Sequence, residues 1–117
     1  MKISKDKVVT LGNVIRSIED EPTVQQAEDG SELRSWALAD TAITLHRRTA
    51  DSKFQFLGLS FQAFGQQFYV TDDLEVSFML LDDNEEVKTY LVTDESLVAD
   101  LESFLEWRTS AAKHQEF

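Results

Sequence analysis

Catalysis needs a nucleophile with a base beside it, convergent metal ligands, or free N–H groups around a phosphate. Ser60 stands in the run Gly58-Leu59-Ser60-Phe61-Gln62. A Gly-x-Ser-x-Gly turn needs its second glycine so that the strained backbone can pass its neighbours. Gln62 fills that position, and Ser60 is expected to be an ordinary strand residue. His46 sits beside Arg47 and Arg48, His114 lies near the end of the sequence, and neither has a second histidine at metal-ligand spacing. Both read as solvated side chains. Zero cysteines remove thiol chemistry, disulfides and Cys-ligated metals. The glycines Gly12, Gly30, Gly58 and Gly65 stand alone, so no Gly-rich phosphate cradle is present. The expectation is a protein without catalytic residues and without a cofactor.

Carboxylates are the abundant functional group. Asp82, Asn84 and Glu86 alternate as in the opening of a calcium loop. Such a loop needs glycine at its sixth position and glutamate at its twelfth, where this sequence has Val87 and Thr93. No dedicated metal site is expected. The distribution of charge says more. Eleven Lys and Arg face 22 Asp and Glu, a formal net of −11. Residues 1–58 carry a net of −1 and residues 59–117 a net of −10. Much of the excess gathers in two groups, Asp72, Asp73 and Glu75, then Asp82, Asp83, Glu85 and Glu86. A field of this sign repels nucleic acid and anionic membranes and attracts basic proteins. The basic group Arg47, Arg48 and Lys53 is too small to reverse that. The seven clustered carboxylates are therefore the candidate partner-binding residues. The competing reading is that they only keep the protein soluble.

The elements that would position them follow from periodicity. One acidic α+β domain over 1–117 is expected, from a length near the commonest domain size and a 42% hydrophobic share. Leu97, Val98, Leu101, Phe104 and Leu105 form one stripe of a helix near 94–109, capped by Thr93, with residues 110–117 a frayed polar tail. Period-two segments give strands at Thr41–Arg48, Lys53–Phe61, Gln67–Thr71, Leu74–Leu81 and Val87–Leu91. In Lys53–Phe61 the phase changes beside Gly58. A bulge there would put Phe54 and Phe56 on one face and Leu57, Leu59 and Phe61 on the other. A helix through Leu57, Phe61, Phe64 and Phe68 competes with that reading. Asp29-Gly30 marks a turn, with Val24–Glu28 and Ser31–Leu38 either hairpin arms or a surface loop.

Residues 4–20 fit a helix capped by Ser4, with Val8, Leu11, Val14, Ile15 and Ile18 on one side. They also fit a strand, because Val8-Val9-Thr10-Leu11 is β-prone and Gly12 weakens a helix. Met1-Lys2, Lys5-Asp6, Val8-Val9, Leu11 and Arg16 resemble the opening strand of bacterial FK506-binding-type prolyl isomerases, which implies the strand. The Gly- and Pro-rich signature of that family is missing from the remaining sequence. The expected architecture is an antiparallel sheet of about four to six strands with the C-terminal helix on one face and a short N-terminal helix.

Three function classes fit this reading. The first is a non-enzymatic binding module of the inhibitor, immunity or anti-defence type, offering carboxylates to a basic, nucleic-acid-handling protein. The second is an acidic secretion-type chaperone that uses the Phe-rich segment from Phe54 to Phe68 as a groove, or as a homodimer seam. The third is a small-ligand-binding domain. With no apolar run long enough to span a bilayer and no signal-peptide pattern, a cytoplasmic location without membrane contact is expected.

Overall fold

The computed structural model describes residues 1–114. Helix α1 (Lys5–Ile18) leads into seven strands, β1 (Thr23–Gln26), β2 (Glu32–Leu38), β3 (Thr41–Arg47), β4 (Gln55–Ala63), β5 (Gln66–Thr71), β6 (Val76–Leu81) and β7 (Val87–Leu91), and helix α2 (Glu95–Lys113) closes the fold. The strands lie side by side in chain order, and each neighbouring pair is antiparallel. This is the α+β class expected, with more strands than the four to six anticipated. The difference includes β1, whose weak alternation hid a wholly exposed edge strand.

Alternation sends one set of side chains to the helices. Trp36 pairs with Ile43, Ile43 with Leu59, Leu59 with Val70, and Val70 with Val76; all are buried. Leu11, Ile15, Val98, Leu101 and Leu105 cover them from α1 and α2, making one core. Among the described residues no helix lies on the opposite sheet face.

Lys53–Phe61 contains the expected bulge, yet its consequence differs. Thr44 pairs with Gly58 while Leu45 pairs with Phe56, so Leu57 is the extra residue. The insertion restores the phase instead of reversing it. Phe56 shares the helix-covered face with Leu59 and Phe61, and Leu57 is exposed. The helical alternative for this segment is excluded by the pairing of β4 with β5.

Residues 5–18 are helical, so the strand implied by the prolyl-isomerase likeness does not form. Gly12 is the reason a helix works here. A Cβ on Gly12 would overlap Cδ1 of Ile43, so glycine lets α1 approach β3 this closely with Ile43 in its present rotamer. Tertiary packing outweighs the helix propensity lost, about 1 kcal/mol. Ser4 occupies the cap position, but its side chain caps nothing; its N–H donates to Glu102 Oε1 at 3.1 Å.

Helix α2 differs from expectation at both ends. Asp94, not Thr93, is the cap: its carboxylate accepts from the N–H groups of Ser96 at 2.8 Å and Leu97 at 3.4 Å. A carboxylate at this helix end also meets the positive pole of the dipole. The helix continues through Ser110 to Lys113 because its buried stripe extends to Arg108, Thr109 and Ala112. That part of the expected tail is ordered helix, and residues 115–117 lie outside the described residues. Phe104 is only partly buried, whereas Leu101 is fully buried as expected.

Three hairpins share one turn design. Gly30 N–H bonds to Ala27 O, Leu74 N–H to Thr71 O, and Glu85 N–H to Asp82 O, while Ala27, Thr71 and Asp82 donate to Ser31, Glu75 and Glu86. The residue before the closing strand must take positive φ, and Gly30 does so at +90° without cost from a side chain. Leu74 and Glu85 are held there at +70° and +61°. Leu74 is thus a turn residue, and the strand expected to begin at it begins at Val76.

Candidate functional site

The candidate carboxylates fall into two turns at opposite ends of β6. Six residues at about 3.3 Å each separate these groups by roughly 20 Å, so they form two patches. They are also unequal in freedom. Asp82 is a turn builder: its carboxylate accepts from Asn84 N–H at 2.9 Å and Glu86 N–H at 2.8 Å, and pairs with Lys88 at 3.3 Å. The backbone N–H of Glu86 holds the Asp82 carboxyl below its ordinary pKa, as the other N–H and Lys88 also do. Asp73 does the same work in the β5–β6 turn, accepting from the Thr71 hydroxyl and from Glu75 N–H at 3.2 Å. The Thr71 hydroxyl holds its carboxyl below the usual range. Glu75 lies 3.1 Å from the Met1 amino group.

Asp72, Asp83, Glu85 and Glu86 are exposed, and their side chains make no ion pair among the described residues. Three of these four sit at the tip of the β6–β7 hairpin. This is the group available to a partner.

The hairpin carries a second feature that sequence reading missed. Met79, Leu80, Leu81, Val87, Tyr90 and Leu91 are all exposed, Leu81 by 69%, Leu91 by 61% and Val87 by 58%. Ladder alternation places Met79, Leu81, Val87 and Leu91 on the uncovered face, and Leu80 and Tyr90 on the other. The signal was in the sequence: Phe78-Met79-Leu80-Leu81 has no polar position, so the strand is apolar toward both faces. Packing covers little of either one here. A clustered apolar surface rimmed by charge is the pattern of an interaction site.

A smaller aromatic group lies at the β4–β5 turn. Phe64 is 65% exposed and packs at 6.1 Å, centroid to centroid, on Phe104, which in turn meets Trp107 at 5.7 Å. Phe64 holds a φ of +54°, unfavourable for a bulky side chain.

The remaining sequence candidates are dispersed. Ser60 is a strand residue of the uncovered face beside Tyr69, and His46 lies on that face near Leu33 and Leu57. His114 Nδ1 is 2.8 Å from Ser110 O at the end of α2. Among the described residues no three His, Asp or Glu side chains converge as metal ligands, and no helix is long and apolar enough to cross a membrane. Of the basic group, Arg47 is committed elsewhere, while Arg48 and Lys53 are exposed. Glu32 is buried and bonds Arg34 at 2.5 Å and Arg47 at 3.2 Å, while both guanidiniums stack on the Phe54 ring. The Gln26 amide, with Arg34 and Arg47, holds the Glu32 carboxyl below its usual pKa. Buried Arg108 bonds Leu38 O at 2.9 Å and fastens α2 to the β2–β3 turn.

Compared with known proteins, the chain matches no family model, no curated protein and no solved structure.

Proposed function

We propose that this chain is a non-enzymatic protein-binding module that docks through its β6–β7 hairpin onto a protein surface both apolar and basic. The observation that carries the reading is the coincidence, in one hairpin, of exposed Leu81, Val87 and Leu91 with the carboxylates Asp83, Glu85 and Glu86, which make no ion pair among the described residues. Burying one such aliphatic side chain contributes about 1.5–3 kcal/mol, and the rim charges steer encounter with a basic surface. An inhibitor, immunity or anti-defence role toward a nucleic-acid-handling protein uses this combination. Such targets carry basic surfaces, and the net charge of −11 suits meeting them.

The chaperone alternative draws less support. It asks for a Phe-rich groove, whereas Phe61 and Phe68 are buried and stacked on each other at 5.7 Å. Phe54 and Phe56 are partly buried, leaving Phe64 as the exposed member of the segment.

Photo-crosslinking in the native host tests the proposal. A crosslinking side chain at Leu81 or Leu91 is expected to capture one basic protein, with a yield that falls as salt rises. The same probe at Val24 on the β1 edge is expected to capture nothing above background. Equal capture from both positions would remove the hairpin as the docking surface.

A further inference from the structure

Resting on that reading, we infer that the outer edge of β7 binds by strand addition, taking as an eighth strand an extended apolar segment of another protein flanked by Lys or Arg. β7 ends the sheet order, so one side of it pairs with β6 and the other pairs with no strand among the described residues. Which backbone groups are free follows from the ladder. Asp82 N–H bonds to Glu86 O at 2.8 Å, and Val92 N–H to Val76 O at 2.8 Å. Antiparallel pairing alternates, so Glu86, Lys88, Tyr90 and Val92 turn their backbone toward β6. The N–H and C=O groups of Val87, Thr89 and Leu91 then face outward. None of these three residues makes a backbone bond outside the β6 ladder among the described residues. Their side chains lie on the uncovered face, and all five residues of β7 are exposed.

Edge strands are normally blunted by proline, charge or a bulge, because a bare row of N–H and C=O groups recruits another chain. The two edges of this sheet differ in that respect. β1 reads Thr-Val-Gln-Gln directly after Pro22, with Glu21 and Glu28 close by. β7 reads Val-Lys-Thr-Tyr-Leu with no proline and no bulge, and Lys88, its one charge, pairs with Asp82. Proline therefore borders one edge of the sheet and not the other.

Charge selects the occupant. At one end of β7 stand Asp83, Glu85 and Glu86, and at the other Asp94 and Glu95. A second copy added antiparallel would set each hairpin tip against Asp94 and Glu95 of its mate, like charge against like. A segment with basic residues at both ends and alternate apolar residues between them meets both acidic ends and places its apolar side beside Val87 and Leu91. Main-chain bonds then supply affinity and the flanking charges supply selection.

The probe is a synthetic peptide of alternating valine and threonine with two lysines at each end, added at millimolar concentration and followed by amide hydrogen exchange. Exchange at Val87, Thr89 and Leu91 is expected to slow by about tenfold, with Val24 and Gln26, whose backbone faces outward on the β1 edge, unchanged. A peptide ending in glutamates is expected not to bind. Thr89→Pro removes an outward N–H and leaves the β6 ladder intact, as edge proline does; peptide affinity should fall about tenfold or more, since roughly 1.4 kcal/mol is one decade. No protection by the lysine-ended peptide, or equal binding by Thr89→Pro, overturns strand addition. Self-association through β7, seen as a dimer in sedimentation that Thr89→Pro dissolves, would also overturn the assigned occupant. A partner whose binding survives Thr89→Pro but is lost in Leu81→Ser/Leu91→Ser would leave hairpin docking standing while strand addition fails.

Discussion

Substituting Gly12 by Ala sets two effects of known size against each other. Alanine in a helix interior gains about 1 kcal/mol over glycine. Its Cβ would enter the volume of Ile43 Cδ1, and overpacking a filled core costs about 1–3 kcal/mol. Gly12→Ala alone should therefore range from neutral to about 2 kcal/mol destabilising. Ile43→Val deletes the offending methyl and alone costs about 0.5–1.5 kcal/mol. The next atom, Ile43 Cγ1, would be 3.7 Å from the new Cβ, an ordinary contact that valine retains. In the double variant the clash is gone, the cavity is partly refilled and the helix gain survives, so stability should return to within about 0.5 kcal/mol of wild type. The coupling energy from urea unfolding should be about 1–3 kcal/mol in favour of the double variant. If the two changes add without coupling, α1 does not pack on β3 as described.

Three further outcomes follow from the same geometry. Leu101, fully buried between α2 and the core, should cost about 2–5 kcal/mol on change to Ala in equilibrium unfolding; a loss below about 0.5 kcal/mol would take α2 out of the core. Glu85→Gly relieves the positive φ at the hairpin tip and should raise stability by about 1 kcal/mol, read as a shifted urea midpoint with unchanged slope. Asp29, Asp73, Asp82 and Glu32 all have lowered folded-state pKa values, with hydrogen bonding the leading cause. Their stabilisation is present above the ordinary carboxylate range, near about 4, and is lost as pH falls through the lower folded values. Thermal midpoints should hold from neutrality to mildly acidic pH and then drop; Asp82→Asn should flatten that drop, and an unchanged acid profile would mean its carboxylate does not hold the turn.

Much of this fold was legible because alternation and helical spacing report burial directly. Ile43, Leu59, Val76, Leu101 and Leu105 stand where periodicity put them. What periodicity could not reach were features set by tertiary contact. Gly12 argues against a helix until Ile43 is seen above it. Leu74 reads as a strand residue until its backbone is found in the left-handed region. Spacing alone does not show that the Arg108 guanidinium is fixed by Leu38 O and the Thr41 hydroxyl. The acidic clusters were legible as composition, but not their division of labour. Asp73 and Asp82 shape turns, while Asp83, Glu85 and Glu86 are left for solvent or a partner. The apolar side of that hairpin was overlooked because Phe78–Leu81 was read for one face only.

If the β6–β7 hairpin meets a basic partner, the association rate must depend on the exposed carboxylates at its tip. With the protein captured by crosslinking at Leu91, the association rate would be measured against ionic strength for wild type and for Asp83→Asn/Glu85→Gln/Glu86→Gln. Asp82 stays unchanged, because its carboxylate builds the turn. Removing three steering charges is expected to leave the unfolding midpoint in place, slow association by about tenfold at low salt and flatten the salt dependence. Wild-type association by the neutralised protein at low salt would mean that the hairpin does not steer a basic partner and that these carboxylates are solvated turn residues.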